Sequence, residues 1–170
     1  MILKFLRKNF YISFSIVALI YFLDRLTKIY VIQLDKNNLG SDIFNSAYLN
    51  IILIWNKGIA FGLFSFDESH LYNILSLIIS IIVVILVIMS LKSHGFKRYS
   101  LLMIVGGALG NLHDRIFFNA VPDFIDFHVG NFHWFIFNVS DIFITLGVIS
   151  MIILELADNK TKKQNNDQKY

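Results

Sequence analysis

The chain contains no cysteine, which excludes a disulfide framework, a thiolate nucleophile and a cysteine-ligated metal. It is also poor in charge: Asp, Glu, Lys and Arg make up 16% of its 170 residues, against roughly 25% in a soluble domain. Apolar bulk takes the place of charge, with 56% hydrophobic residues and a mean hydropathy of +0.62. The solvent for most of this chain is therefore lipid. No long linker and no internal repeat is visible, so one membrane-embedded domain over residues 1–157 is expected, followed by a polar, disordered cytoplasmic tail over 158–170. The net charge of +3 is read by position along the chain, since basic residues in a membrane protein sort by side of the bilayer; no nucleic-acid partner is expected.

A bilayer core about 30 Å thick takes about 20 apolar residues in helix. Segments of about 10–32, 71–91, 99–116 and 139–154 meet or approach that length. The second is free of charge, whereas the first carries Asp24, Arg25 and Lys28, and the third ends on Asp114 and Arg115. Ionisable groups at such depth are costly and face the protein interior. Lys4, Arg7 and Lys8 before the first run also suit a cleaved signal peptide. No small-x-small cleavage site follows, and the apolar pattern resumes after Asp24, which suits a retained helix better. Ten basic residues flank one side of these spans (Lys4, Arg7, Lys8, Lys92, Lys97, Arg98, Lys160, Lys162, Lys163 and Lys169), and the opposite loops carry only Lys36 and Lys57. The positive-inside rule then puts both termini in the cytoplasm and the two larger loops outside.

Those outer loops have structure of their own. Leu49 to Trp55 is rich in Ile, Leu and Trp and runs into a turn at Asn56 to Gly62, which predicts strands on the outer membrane surface. Phe132, Trp134, Phe135 and Phe137 suit an interfacial aromatic belt. The fold class expected is an all-α integral membrane protein of four transmembrane helices with a small extracytoplasmic β-rich subdomain.

At about 1.5 Å per residue, Asp24 and Asp114 both fall about 21–23 Å up outward-running helices. Asp141 opens the fourth span from the outer edge, and Asp123 follows the third, so four carboxylates gather in one layer near the outer face. Each also has a plain reading. Asp24 stands four residues before Lys28, the orientation that favours an intrahelical pair. Asp114 and Arg115 are adjacent and point to different sides of a helix. Asp141 with Asn138 suits an N-terminal helix cap. Asp126 suits a solvated loop charge, and the residues alone do not rank it against Asp123. Gly106 and Gly110 form a G-x-x-x-G pair that lets a neighbouring helix come close.

The histidines His70, His94, His113, His128 and His133 share no helical face at metal-ligand spacing, so no metal and no cofactor are expected. No serine lies in a nucleophile-elbow context. Carboxylate chemistry remains: two Asp side chains sharing a proton can activate water, because like charges held close cannot both ionise.

Five segments complete the picture: Asp24-Arg25-Leu26-Thr27-Lys28, Asn56-Lys57-Gly58-Ile59-Ala60-Phe61-Gly62, Gly106 to Ile116, Val121-Pro122-Asp123-Phe124-Ile125-Asp126-Phe127 and Phe137-Asn138-Val139-Ser140-Asp141. In this order they resemble the motifs of the bacterial lipoprotein signal peptidase family, signal peptidase II. The resemblance implies an aspartyl endopeptidase of the bacterial inner membrane, sensitive to globomycin and working as a monomer near the periplasmic face. It would cleave prolipoproteins before the diacylglyceryl-modified cysteine. Carried over, Asp123 and Asp141 become the catalytic dyad, and Asp126 does not. Asn56, Gly58, Asn111, Asp114, Arg115 and Asn138 match positions that orient the substrate or support the dyad, and Asp24 with Lys28 matches the first motif.

Arg25, Ile59, Pro122, Phe135 and Ser140 depart from the commonest family pattern, and none removes a carboxylate. Pro122 fixes its own φ and restricts Val121 to extended conformations, which bears on how Asp123 is presented. Two other classes compete with a peptidase. A small transporter would line an ion path with intramembrane charge, but here the second span is uncharged and the carboxylates gather at one face. A scaffold protein would account for the glycine pair and the aromatic belt.

Overall fold

The computed structural model describes residues 2–37, 43–58 and 69–167. In chain order these form α1 (Ile2–Asn37), β1 (Leu49–Asn56), α2 (Ser69–Lys92), α3 (Gly95–Phe118), β2 (Val121–Val129), β3 (Phe132–Phe137) and α4 (Val139–Asp167). All four helices are long and apolar enough to cross a membrane, and the three strands form one antiparallel sheet in the order β1-β2-β3. The architecture expected from sequence is the one found, with longer helices. α1 passes the expected end at Ile32, and α4 continues past Leu154 to Asp167. The expectation of a disordered tail from Asp158 is thus corrected through Asp167. No glycine or proline follows Gly147, so nothing in that polar sequence stops a helix already begun. The segment Ile59 to Gly62 of the second motif lies outside the described residues.

α3 is the inner helix, packed against α1, α2 and α4. Half of its apolar window is buried, against less than a fifth in each of the other three. Glycines permit this. A Cβ on Gly106 would stand 2.9 Å from Ile20 Cβ of α1, and one on Gly107 would strike the Ser140 carbonyl of α4. A Cβ on Gly110 would strike Ser140 Oγ and come within 2.6 Å of Asp24 Oδ2. Gly147 of α4 likewise lies against the Ser100 carbonyl of α3. The G-x-x-x-G pair thus draws α1 close along its length, and Gly107 and Gly147 do the same for α4. The outward faces carry Leu19, Phe22 and Ile29 on α1, Leu77, Ile81 and Ile85 on α2, and Ile149 and Ile153 on α4, apolar surface that lipid covers.

The sheet attaches at the end of α3. Asn119, at φ 53 and ψ 23, takes the left-handed conformation that ends a helix, one that asparagine tolerates better than most residues. β2 follows at once and pairs with β1, with Asn50 opposite Asp126 and Ile54 opposite Asp123. β3 pairs with β2 from Ile125 onward. Pro122 therefore falls where β2 has a strand on one side only, the setting that tolerates a residue without an N–H. β2 turns into β3 over Gly130, at φ 60, which suits a two-residue hairpin turn with glycine first. Phe127, Val129, Phe132 and Trp134 remain exposed.

Candidate active site

Asp123 on β2 and Asp141 in the first turn of α4 line one cavity of about 430 Å³. Residues of several elements meet there: Asn56 of β1, Ile79 of α2, Asn111 and Arg115 of α3, and Ile144 and Val148 of α4. Three asparagine amides aim the two carboxylates. Asp123 accepts from Asn138 Nδ2 at 2.6 Å on one oxygen and from Asn56 Nδ2 at 2.9 Å on the other. Asp141 accepts from Asn111 Nδ2 at 2.8 Å. Asn111 and Asn138, expected to orient the substrate or support the dyad, bond the aspartates themselves.

Asn138 also begins α4. Its Oδ1 accepts from the Asp141 backbone N–H at 3.2 Å, and Asp141 Oδ2 accepts from the Asn138 N–H at 3.2 Å. This reciprocal pair has the logic of a capping box. The cap reading of Asp141 and its place in the cavity are therefore one arrangement: one carboxylate oxygen ends the helix while the other faces Asn111. The helix N-terminus also favours the negative charge there.

Burial pushes the Asp123 carboxyl up to about 6, and the Asp141 charge adds to the rise; the Asn56 and Asn138 donors oppose it. A carboxyl that keeps its proton to higher pH beside a second carboxylate suits a shared proton.

Beneath the pair lies a buried ion cluster. Lys28 Nζ donates to Asp114 at 2.7 Å and to Asn111 Oδ1 at 2.8 Å, and stands 2.9 Å from Asp24. Arg25 donates to both oxygens of Asp114, at 2.6 and 2.8 Å, and to Asp24 at 2.8 Å. Two cations thus balance two anions, and Asp24 Oδ1 also accepts from the Ser140 N–H at 3.0 Å. The Asp24–Lys28 pair expected from spacing forms, but inside a larger unit that ties α1, α3 and the start of α4 together. Asn111 connects this unit to Asp141. Arg115 points the other way, donating to the Gly58 carbonyl at 3.1 Å, and the Gly58 N–H donates to Asn56 Oδ1 at 2.8 Å. Arg115 and Gly58 therefore steady the end of β1 that carries Asn56.

Asp126 is no loop charge. It is buried on β2, held by Asn50 and His133. Successive residues of a strand face opposite sides, so Asp126, three places from Asp123, looks away from the cavity. The role of Arg25 as a bidentate partner of Asp114 was missed from sequence: the two lie 89 positions apart. The histidine comparison on helical faces also missed His128 and His133, which stand opposite each other across β2 and β3.

The family model for signal peptidase (SPase) II, peptidase family A8, matches residues 16–157. The chain belongs to the signal peptidase II family. It is therefore a membrane endopeptidase of the aspartic type. The lipoprotein signal peptidase of Pelagibacter ubique (strain HTCC1062) is 48% identical over 160 residues, covering 93% of this chain and 96% of the relative. That of Anaplasma phagocytophilum (strain HZ) is 42% identical over 147 residues, 85% and 92% of the two chains. A bacterial membrane enzyme solved by the in meso method at 2.3 Å superposes with a TM-score of 0.71 at 30% identity, covering 88% of this chain and 90% of the other. The signal peptidase II match spans the first-motif lysine, the asparagines and both cavity aspartates.

Proposed function

We propose that this signal peptidase II removes the signal peptide of prolipoproteins by cutting before the diacylglyceryl-modified cysteine, with Asp123 and Asp141 activating the attacking water. The observation that carries the reading is that both carboxylates face one cavity, each fixed by side-chain amides. One aspartate, ionised, takes a proton from water held between the pair as the oxygen attacks the scissile carbonyl. The other, protonated, donates to that carbonyl, and a proton then passes to the leaving nitrogen. No covalent intermediate and no metal is required. Ile79, Ile144, Val148 and Ile149 make the rest of the cavity apolar, which suits the hydrophobic segment and acyl chains of such a substrate. The basic residues at 4–8, 92–98 and 160–169 support cytoplasmic termini and an outward-facing site; we also take the protein as a monomer in the bacterial inner membrane. The test is conversion of a lipidated prolipoprotein by the purified protein in detergent, with the unlipidated form cut poorly; equal cleavage of both would remove the lipid requirement.

The proton on Asp123 sets a pH dependence. Because burial pushes its carboxyl up to about 6, the acid member of the pair is expected to be lost as pH rises through that value. kcat/KM, which reports the free enzyme, is expected to fall about tenfold per unit above about pH 6, and Asp126→Asn is expected to leave that limb in place. A profile flat to about pH 8 would contradict the shared proton.

Orientation has its own check. A periplasm-active phosphatase reporter fused after Asn56 or Phe127 is expected to be active, and one fused after Ser93 or Lys160 inactive. The reverse pattern would place the aspartates on the cytoplasmic side.

A further inference from the structure

We propose that Asp126, His128 and His133 form a binding site for a divalent transition metal on the β2–β3 hairpin, separate from the cavity that holds Asp123 and Asp141. The three side chains offer ligand atoms that all lie within 4.8 Å of one another. His133 Nδ1 stands 2.9 and 3.1 Å from the two oxygens of Asp126, and His128 Nδ1 stands 4.0 Å from the nearer one. The register explains the convergence: His128 and His133 face each other across the strand pair, and their rings stack with centroids 5.0 Å apart and planes 20° apart. Asp126 lies two residues before His128 and so shares its side of β2.

His128 gives the independent sign of a ligand. Its side chain is nine-tenths buried, with only 10% exposed, and its Nδ1 has no hydrogen-bond partner among the described residues. A buried nitrogen left without a partner is costly, and this one sits at the edge of a carboxylate. Zinc bound by imidazole and carboxylate at about 2.0–2.2 Å places neighbouring ligand atoms about 3.3 Å apart in a tetrahedron. The present carboxylate–imidazole separations of 2.9 and 4.0 Å bracket that value, and all the ligand atoms lie within 4.8 Å of one another, so closing on a metal takes shifts of about 1.5 Å or less.

The surroundings also fit. Asn50 Nδ2 donates to Asp126 Oδ2 at 3.2 Å, the orienting contact that metal-ligating carboxylates need, and Oδ1, 3.1 Å from His133 Nδ1, does not take that bond. The His128 N–H donates to the Tyr48 carbonyl at 3.0 Å, which anchors that residue's backbone. His133 is 54% exposed on its side chain, so an ion reaches the group from outside. Two imidazoles and one carboxylate suit zinc and its neighbours better than calcium or magnesium, and leave at least one position for water. A bound ion would tie β3 to β2 on the face opposite Asp123.

The test uses the full-length, tag-free protein in detergent, stripped with chelator and titrated with Zn²⁺ by calorimetry and with Co²⁺ by visible absorption. One ion per chain is expected, with the Co²⁺ bands of a low-coordinate nitrogen and oxygen site. His128→Gln, His133→Gln and Asp126→Asn are each expected to weaken Zn²⁺ binding at least about tenfold, and His113→Gln to leave it unchanged. Cleavage of a lipidated substrate by each variant verifies the fold. A wild type that takes no zinc, a pale octahedral Co²⁺ spectrum, or a His128→Gln variant that binds as tightly as wild type would each overturn the site. Zinc binding and peptide cleavage are read separately, so failure of one leaves the other standing.

Discussion

Asp123→Asn and Asp141→Asn are each expected to lower turnover on a lipidated prolipoprotein by at least about 10³-fold. The protein should accumulate in the membrane near its normal level. The substitution keeps the shape of each side chain and removes the acid, so the loss falls on chemistry. Asp123 accepts both Asn56 and Asn138, and Asp141 accepts Asn111 and caps α4. An asparagine amide keeps one acceptor oxygen, so at position 123 one of the two donors loses its acceptor, and folded abundance is measured beside turnover. If the two act as a unit around one water, the double variant should be scarcely worse than either single one, as for other catalytic groups that work together. Multiplied losses would instead mean independent roles.

The second large effect is expected at Lys28, which is 1% exposed and holds Asp24, Asp114 and Asn111 at once. Lys28→Met leaves two buried carboxylates against the single charge of Arg25. Removing one partner of a buried ion pair costs about 3–5 kcal/mol, enough to deplete the folded protein. Asn111 also loses the donor that fixes its Oδ1, so the amide aimed at Asp141 is freed and residual molecules should turn over slowly. Lys28→Met with Asp114→Asn restores charge balance with Arg25 and Asp24. Its thermal stability in detergent should exceed the sum of the single losses by about 1–3 kcal/mol. Strict additivity would show that the four charges do not form one unit.

Different parts of this arrangement were legible to different degrees. The four spans follow from the length and composition of their apolar runs, and β1 from the Ile-, Leu- and Trp-rich segment after residue 48, whereas β2 and β3 lie where the sequence suggests a connection and an aromatic belt. Asp24 and Lys28 show their pairing through a spacing of four, because a helix brings such residues together. Arg25 has no such signal, since its partner Asp114 belongs to another helix and only packing at Gly110 brings the two side by side. The ranking of Asp123 over Asp126 was legible once the segment was read as a strand, because three places on a strand reverse the face; read as a loop, it gave no ranking. The histidines share no helical face, and only the pairing of β2 with β3 brings His128 and His133 together. The polar end of α4 has the composition of a solvated tail, although it contains no glycine or proline to break a helix.

The central claim is that hydrolysis belongs to Asp123 with Asp141 and that Asp126 stands outside it. One side-by-side measurement tests this most directly: cleavage of a lipidated prolipoprotein by wild type, Asp123→Asn and Asp126→Asn, purified at equal folded concentration, with the new N-terminus read by mass spectrometry. The expected result is a product beginning at the diacylglyceryl cysteine from wild type and, within about tenfold, from Asp126→Asn, a loss of about 1.4 kcal/mol or less, and none at matched times from Asp123→Asn. An active Asp123→Asn beside a dead Asp126→Asn would contradict the assignment.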